Sequence, residues 1–486
     1  MRAAAENVRR HASRRAKHHV GLRIKNVSYR RGSMIHQYKL LGANIILDIE
    51  SGSIHVVDDA AYDAIGMYES AGPVETAAQV GKTYPEISGS DISELVSDVG
   101  KLKEQGKLFA PESLPANMGT SRERPVKALC LNVSHLCNMT CVYCFAGKGE
   151  YGGGRLMPIE TGKRAVDFLV ENSGERKNLD IDFFGGEPLL NWDVIKGIVD
   201  YARLKERKSG KLFRFTLTTN GLLIDDEIID FTRKEMRSVV LSLDGRPSVN
   251  DAMRKLPCGA GSYNAVLPKI KKLVESRREA EYYIRGTYTR ENLDFVRDIL
   301  HLADLGFSEL SMEPVVTRQH DPDSIAIGIT MDEFPAICAQ YENLAQEMVR
   351  RKREGKGFNF YHYTLDLTGG PCVHKRAAGC GVGTEYLAVT PSGELYPCHQ
   401  FVGDRKFLMG DVFGGITNKG LRDQFGSQSI CSRLECQKCW ARYYCGGGCA
   451  ANAFYESGSV GGIYELGCEM FKKRIECAVF LAVSQL

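Results

Sequence analysis

Between residues 127 and about 355 the chain alternates six apolar runs with segments of helical spacing, and no other feature restricts the fold so strongly. The runs are KALCLNV, LDIDFFGG, LFRFTLTTNG, SVVLSLDG, EYYIRGTYT and SELSMEP. The helical patterns lie near 160–172, 191–208, 225–236, 262–278 and 292–304. Strands separated by helices return to the same end of a sheet, so they pair in parallel. Six units fall short of a closed eightfold barrel. The expected class is therefore α/β, with a partial (β/α)6 TIM-like barrel. Chemistry in such folds gathers beyond the carboxyl ends of the strands. Polar residues stand there: Glu187 after the second run, Asn220 after the third, Asp244 after the fourth.

The flanks read differently. Residues 34–112 begin with short β-rich runs, HQYKLLG, ANIILDIES and SIHVVDD. Helical patterns follow near 60–70, 74–83 and 90–105, and GKLFAPE is expected to form a last hairpin edge. That order predicts a winged-helix-like α+β domain. Residues 113–126 have linker composition. From 369 to 486 the chain is rich in Gly and Cys with little periodicity, so a limited apolar core leaning on bound metal is expected.

Charge and composition narrow the class. Residues 1–33 carry ten Lys/Arg against Glu6 alone, a surplus of nine within a total of +3, which leaves the rest of the chain at −6. The basic arm reads as a disordered extension, with Met34 able to serve as a start. An acidic body without a basic recognition helix argues against a nucleic-acid partner. No window approaches the ~20 apolar residues of a membrane span, and no signal-peptide core follows the first charges. A cytoplasmic location is expected. Sixteen cysteines, ten of them at or beyond Cys372, are clustered rather than spread, which in a cytosolic chain points to metal or iron–sulfur ligation.

Cys137, Cys141 and Cys144 follow the first strand in the run CNMTCVYCFAGKG. A structural zinc site is closed by four ligands, and a four-iron cluster is held by one Cys per iron. Three thiolates leave one iron open to a small molecule. A three-thiolate zinc site or buried free thiols are the plainer alternatives. The C-x3-C-x2-C spacing, with GGEP at 185–188, TTNG at 218–221 and SLDG at 242–245 in that order, resembles the radical S-adenosylmethionine (SAM) enzymes. The resemblance implies a [4Fe–4S] cluster whose open iron chelates SAM, and reductive cleavage of SAM to a 5′-deoxyadenosyl radical. It also implies SAM contacts from Gly185, Gly186 and Glu187, from Asn220, and from Ser242 and Asp244. Arg254 and Arg285 are candidates to pair with the SAM carboxylate, since a guanidinium fork matches it.

Downstream, Cys380, Gly393 and Cys398 are followed by Cys436, Cys439, Cys445, Cys449 and Cys468. A pair of zinc-ribbon knuckles is the alternative, but the full pattern is similar to SPASM domains, which carry two auxiliary [4Fe–4S] clusters. By that resemblance Cys436, Cys439, Cys445 and Cys468 hold an outer cluster, and Cys380, Cys398 and Cys449 an inner one. Cys372 either completes the inner set or leaves an open iron there; the sequence leaves both readings standing. Cys130 and Cys338 read as packing residues.

The run MIHQYKLLGANIILDIESGSIHVVDD, with RGTYT and GCGVGTEYLAVTPSGELYPCHQFVG, resembles maturases of six-cysteine (SCIFF) peptides. That resemblance implies three [4Fe–4S] clusters and SAM as cofactors. It implies as substrate a Cys-rich precursor peptide bound through its leader, and as reaction a thioether between Cys sulfur and carbon. A low-potential electron donor such as flavodoxin or ferredoxin is implied as well. An anaerobic sulfatase-maturating type of SPASM enzyme is the rival within the superfamily. A non-catalytic iron–sulfur electron carrier or peptide-binding scaffold is the rival from another class.

Overall fold

A computed structural model describes residues 34–112, 124–147, 151, 153–277, 281–316, 326–367, 377 and 379–484. The basic extension 1–33, most of the 113–126 linker and Cys372 lie outside the described residues. Six parallel strands form in the order of the sequence: β4 (Ala128–Ser134), β5 (Asn178–Gly185), β6 (Leu212–Thr219), β7 (Met236–Ser242), β8 (Glu281–Tyr288) and β9 (Glu309–Pro314). Each pairs with its predecessor, so the sheet curves as a partial, unclosed barrel. The reason is legible locally. β5 alternates buried Leu179, Ile181 and Phe183 with Asp180, Asp182 and Phe184 on the other face. The following helix, Trp192–Ser209, buries Ile195, Ile198, Val199 and Ala202 at helical spacing and ends on Gly210 in the left-handed conformation.

The sheet is larger than the six runs. A two-residue strand, β10 (Asn359–Phe360), extends it beyond β9. At the other edge β11 (Tyr386–Val389) pairs in parallel with β4, and an antiparallel series β12 (Glu394–Tyr396), β13 (Gly410–Asp411) and β14 (Gly415–Ile416) follows. The Cys-rich region is thus an extension of the barrel sheet. Its expected shortage of core is also corrected. Phe401, Phe407 and Phe425 are buried and pack with Phe454, at ring-centroid separations of 4.2 Å for Phe401–Phe407 and 4.8 Å for Phe407–Phe454. A helix at Glu465–Val483 buries Leu466, Met470, Ile475 and Val479. The spacing is helical, but Cys, Arg and Lys interrupt the pattern.

The N-terminal unit is an antiparallel meander, β1 (Ile35–Leu40), β2 (Ala43–Asp48) and β3 (Ile54–Val57), followed by helical runs at Asp59–Thr83, kinked at Gly72–Pro73, and Gly89–Glu104. Among the described residues GKLFAPE holds no strand in place of the expected hairpin edge, only a bridge residue at Pro111. Leu108 and Phe109 drop into a core with Ile46, Ile65 and Val99, and Ala110 N–H donates to buried Asp48 at 3.0 Å. Apolar burial, the Asp48 carboxylate and a contact of His55 Nε2 with Lys107 O at 2.9 Å tie this segment down. The unit sits on the Cys-rich region. His36 stacks on Trp440 at 3.7 Å and bonds Glu476 at 3.0 Å, and buried Glu50 pairs with buried Arg442.

Candidate functional site

The carboxyl ends of β4 to β9 open on one cavity of about 390 Å³, roofed by the Cys-rich region. The Cys137–Cys144 loop leaves β4 and is pinned on both sides. Gly186 N–H donates to Ser134 O at 2.7 Å and Glu187 N–H to Leu136 O at 2.8 Å. On the far side Thr140 N–H donates to Lys255 O at 2.8 Å and Val142 N–H to Met253 O at 2.9 Å. Gly185 makes the first contact possible. Its φ is +137°, and a Cβ there would stand 2.1 Å from Ser134 O.

Cys137, Cys141 and Cys144 all line the cavity. Burial pushes the Cys137 thiol up to about 12, and Cys141 and Cys144 add to the rise. Neutral thiols are what a dry pocket favours; a bound cation reverses the preference. Glu187 lines the same wall and is 1% exposed. It accepts from Thr219 Oγ1 at 2.7 Å, Asn220 N–H at 2.8 Å and Leu189 N–H at 3.0 Å. Burial raises its pKa against the pull of those donors. Asn220 Nδ2 donates to Asn138 at 2.7 Å and stands 3.8 Å from Cys137 Sγ, so it braces the cysteine loop as well as facing the cavity.

Gly185, Gly186, Ser242, Arg254 and Arg285 also line the cavity. Asp244 is fully buried beneath it. Its carboxylate accepts from Tyr143 OH at 2.7 Å and Thr287 N–H at 3.0 Å, while Tyr143 OH accepts from Arg254 at 2.7 Å. Tyr143, between the second and third cysteines, thereby ties the cysteine loop to the ends of β7 and β8. Its aromatic character was legible in the motif; the hydroxyl bridge was not. Glu313, at the end of β9, is a cavity residue that no motif marks. His362 lies 3.3 Å from it and Arg474 3.7 Å, and these with Arg285 hold its pKa low against the opposing effect of burial.

The C-terminal cysteines fall into two groups. Burial first, then Cys445, Cys436 and Cys439, push the Cys468 thiol up to about 12. Burial first, with Cys449 and Cys380 nearby, does the same to Cys398. Cys477 also rises to about 12, chiefly from desolvation, so burial by itself marks no thiol as a ligand. Cys449 lines the cavity shared by Cys137, Cys141 and Cys144, next to His399, Gln400 and Asn452. Among the described residues no three His, Cys, Asp or Glu close on a single metal ion. A tetrahedral zinc with Zn–S near 2.3 Å needs sulfurs roughly 3.7 Å apart. A multinuclear cluster spreads its thiolates over separate irons, and the soft, grouped donors fit such a body.

Residues 131–303 match the family described as the Radical SAM superfamily. The chain is 22% identical over 425 residues to the radical SAM cyclopropyl synthase TigE of Paramaledivibacter caminithermalis, covering 80% of this chain and 84% of that one. It is 24% identical over 367 residues to the mycofactocin maturase MftC of Mycolicibacterium smegmatis, covering 67% and 79%. It is 24% identical over 360 residues to the cysteine-type anaerobic sulfatase-maturating enzyme of Clostridium novyi, covering 70% and 91%. Among solved structures, native anSMEcpe with bound AdoMet matches at a TM-score of 0.61 and 20% identity, over 74% of this chain and 100% of that one. That likeness is one of fold. Among the described residues no helix is long and apolar enough to cross a membrane.

Proposed function

We propose that this chain, which carries a radical SAM domain, installs thioether cross-links between Cys sulfur and carbon in a Cys-rich precursor peptide. The observation that carries the reading is the shared cavity. Thiols of the N-terminal trio and Cys449 of the C-terminal field line one space, so a site for generating a radical and a site for handling sulfur face the same substrate. The relatives named above include a mycofactocin maturase and a sulfatase-maturating enzyme, and a peptide or protein substrate is in keeping with those names.

Cys137, Cys141 and Cys144 would hold one [4Fe–4S] cluster, Cys436, Cys439, Cys445 and Cys468 a second, and Cys380, Cys398 and Cys449, with Cys372 as the candidate fourth, a third. When bound, the first supplies reductive cleavage of SAM and the others supply thiolate activation and an electron sink. The chain's own residues position and enclose. Glu187, its oxygens already fixed by three donors, presents a rigid acidic edge. The Asp244–Tyr143–Arg254 bridge keeps Arg254 oriented for a carboxylate. Phe145, Tyr151 and Phe184 line the cavity with apolar surface that excludes water. Leader binding is assigned to β3, which among the described residues pairs with β2 alone; Val56 on it is 53% exposed. Strand addition there would use backbone pairing for affinity and raise the local concentration of the core peptide. A low-potential flavodoxin or ferredoxin is the matching electron donor.

The test is tandem mass spectrometry of a Cys-rich precursor after anaerobic incubation with SAM and reductant. Each cross-link should remove one pair of hydrogens and protect one Cys from alkylation. An aldehyde at Cys or Ser would instead indicate the sulfatase-maturating type. 5′-Deoxyadenosine without any peptide change would refute the maturase reading.

A further inference from the structure

The wall that the Cys-rich region presents to the cavity carries buried polar atoms without partners. Asn452 lies on the helix Ala450–Ser457, and its Oδ1 is buried with no hydrogen bond among the described residues. His399 follows β12, and its Nδ1 is in the same condition. Both residues line the cavity. Neither is loosely held. The His399 ring is wedged against Phe184 at 4.9 Å and Phe145 at 5.5 Å. Asn452 is fixed because the same helix buries Ala451 and Ala453 and sends Phe454 into the aromatic core. Leaving a buried acceptor unpaired costs about 1–3 kcal/mol, and the packed helix and the packed ring hold both residues at the wall. Groups in this state at the wall of a cavity ask for a ligand that brings its own donor and acceptor.

We propose that Asn452 and His399 form a backbone-recognition subsite for the substrate peptide. The inference rests on the peptide-modifying reading and deepens it. A carboxamide offers an acceptor and a donor side by side, which matches the N–H and C=O of an extended peptide and is indifferent to side chains. His399 supplies a second polar contact to the same segment from a ring the aromatics hold in place. The subsite selects main chain held straight across the cavity, so the Cys and acceptor side chains on either side are presented by strand alternation. The barrel wall, with Glu187, Asn220 and Arg254, is left for the nucleotide.

The experiment measures KM and kcat of the reconstituted full chain with a synthetic Cys-rich precursor. Asn452→Ala and the isosteric Asn452→Asp should raise KM for the peptide by about tenfold to a hundredfold, the range that an unpaired buried group implies, with a much smaller change in kcat. His399→Phe, which keeps ring packing, should raise KM in the same sense. Backbone N-methylation is then scanned along the core peptide. One position should raise KM in the wild type and add nothing in Asn452→Ala, a coupling that a merely structural residue would not show. Unchanged KM in all three variants, or an N-methyl penalty that persists in Asn452→Ala, would mean that solvent satisfies these atoms, and would overturn the subsite. No modification of any Cys-rich peptide by the wild type would sink the peptide-modifying reading itself, and the subsite with it.

Discussion

Removing Glu50 should loosen the N-terminal unit from the Cys-rich region without unfolding either. Glu50 sits in the turn between β2 and β3, and its side chain is 2% exposed; Arg442, between Cys439 and Cys445, is 1% exposed. The two pair directly, and Tyr443 OH also donates to the carboxylate, at 3.1 Å to each oxygen. Stranding one partner of a buried pair costs about 3–5 kcal/mol. Glu112 lies 3.2 Å from Arg442 but is 57% exposed, so it can take over only part of the cation. The lower end of the range, about 3 kcal/mol, is therefore expected for Glu50→Ala, and about half of that for Glu50→Gln, which keeps acceptors for Arg442 and Tyr443. Three kcal/mol is on the order of a 150-fold rise in local opening. Native-state hydrogen exchange on β1 to β3 in the reconstituted protein reads that factor directly. Arg442→Ala should give a similar loss, and the double variant should lose far less than the sum. Because the pair is buried, half-molar salt should change little. Additive single effects below about 0.5 kcal/mol, or strong salt dependence, would refute the view that this seam is held by a desolvated pair.

Other expectations follow from the site. Cys141→Ala should abolish 5′-deoxyadenosine formation and lower the iron content by about four per chain, read by product chromatography and iron analysis; retained SAM cleavage would reject the trio's role. Intact reconstituted protein should bind about 12 iron if three four-iron clusters form, and a reproducible value near four would remove both auxiliary sites. Gly185→Ala should destabilise by several kcal/mol, since a positive φ and a 2.1 Å approach to Ser134 O are both incompatible with a Cβ; a melting temperature within a degree or two of wild type would contradict the geometry. Asp182, on the cavity-facing side of β5, has its pKa raised from 3.8 to about 6, first by burial and then by Asp180. The folded state holds this proton after the unfolded state has lost it, so the group's contribution falls as pH rises from about 4 to 6 and stays lost above that. Asp182→Asn should erase that slope and gain up to about 2–3 kcal/mol at pH 7, checked by denaturant titration at several pH values.

The barrel was legible because each strand and helix is written in a local period that burial then exploits. Even so, β7 begins at Met236 directly after the helix Asp226–Glu235, with no turn residue between them for a sequence reader to seize. β11 escaped because its pairing with β4 joins residues far apart in the chain, and four apolar positions among glycines leave no period. The cysteine loop and GGEP stood out because each is a compact motif in sequence, and the structure brings Cys137, Cys141, Cys144 and Glu187 to one cavity. Glu50 and Arg442 were not, since a charge buried in a seam looks in sequence like a charge in water. The same limit governs the cavity. Glu313, His399 and Asn452 come from the barrel and from two places in the Cys-rich region, and they share a wall only once β11 has docked on β4. That docking is the step on which the site depends. Without β11 beside β4, the strand ends of the barrel would still carry Cys137, Cys141 and Cys144, but the space before them would open to solvent and Cys449 would stand elsewhere. The sheet extension therefore builds the two-sided cavity, and the buried polar groups it brings together cost stability that an apolar wall would not.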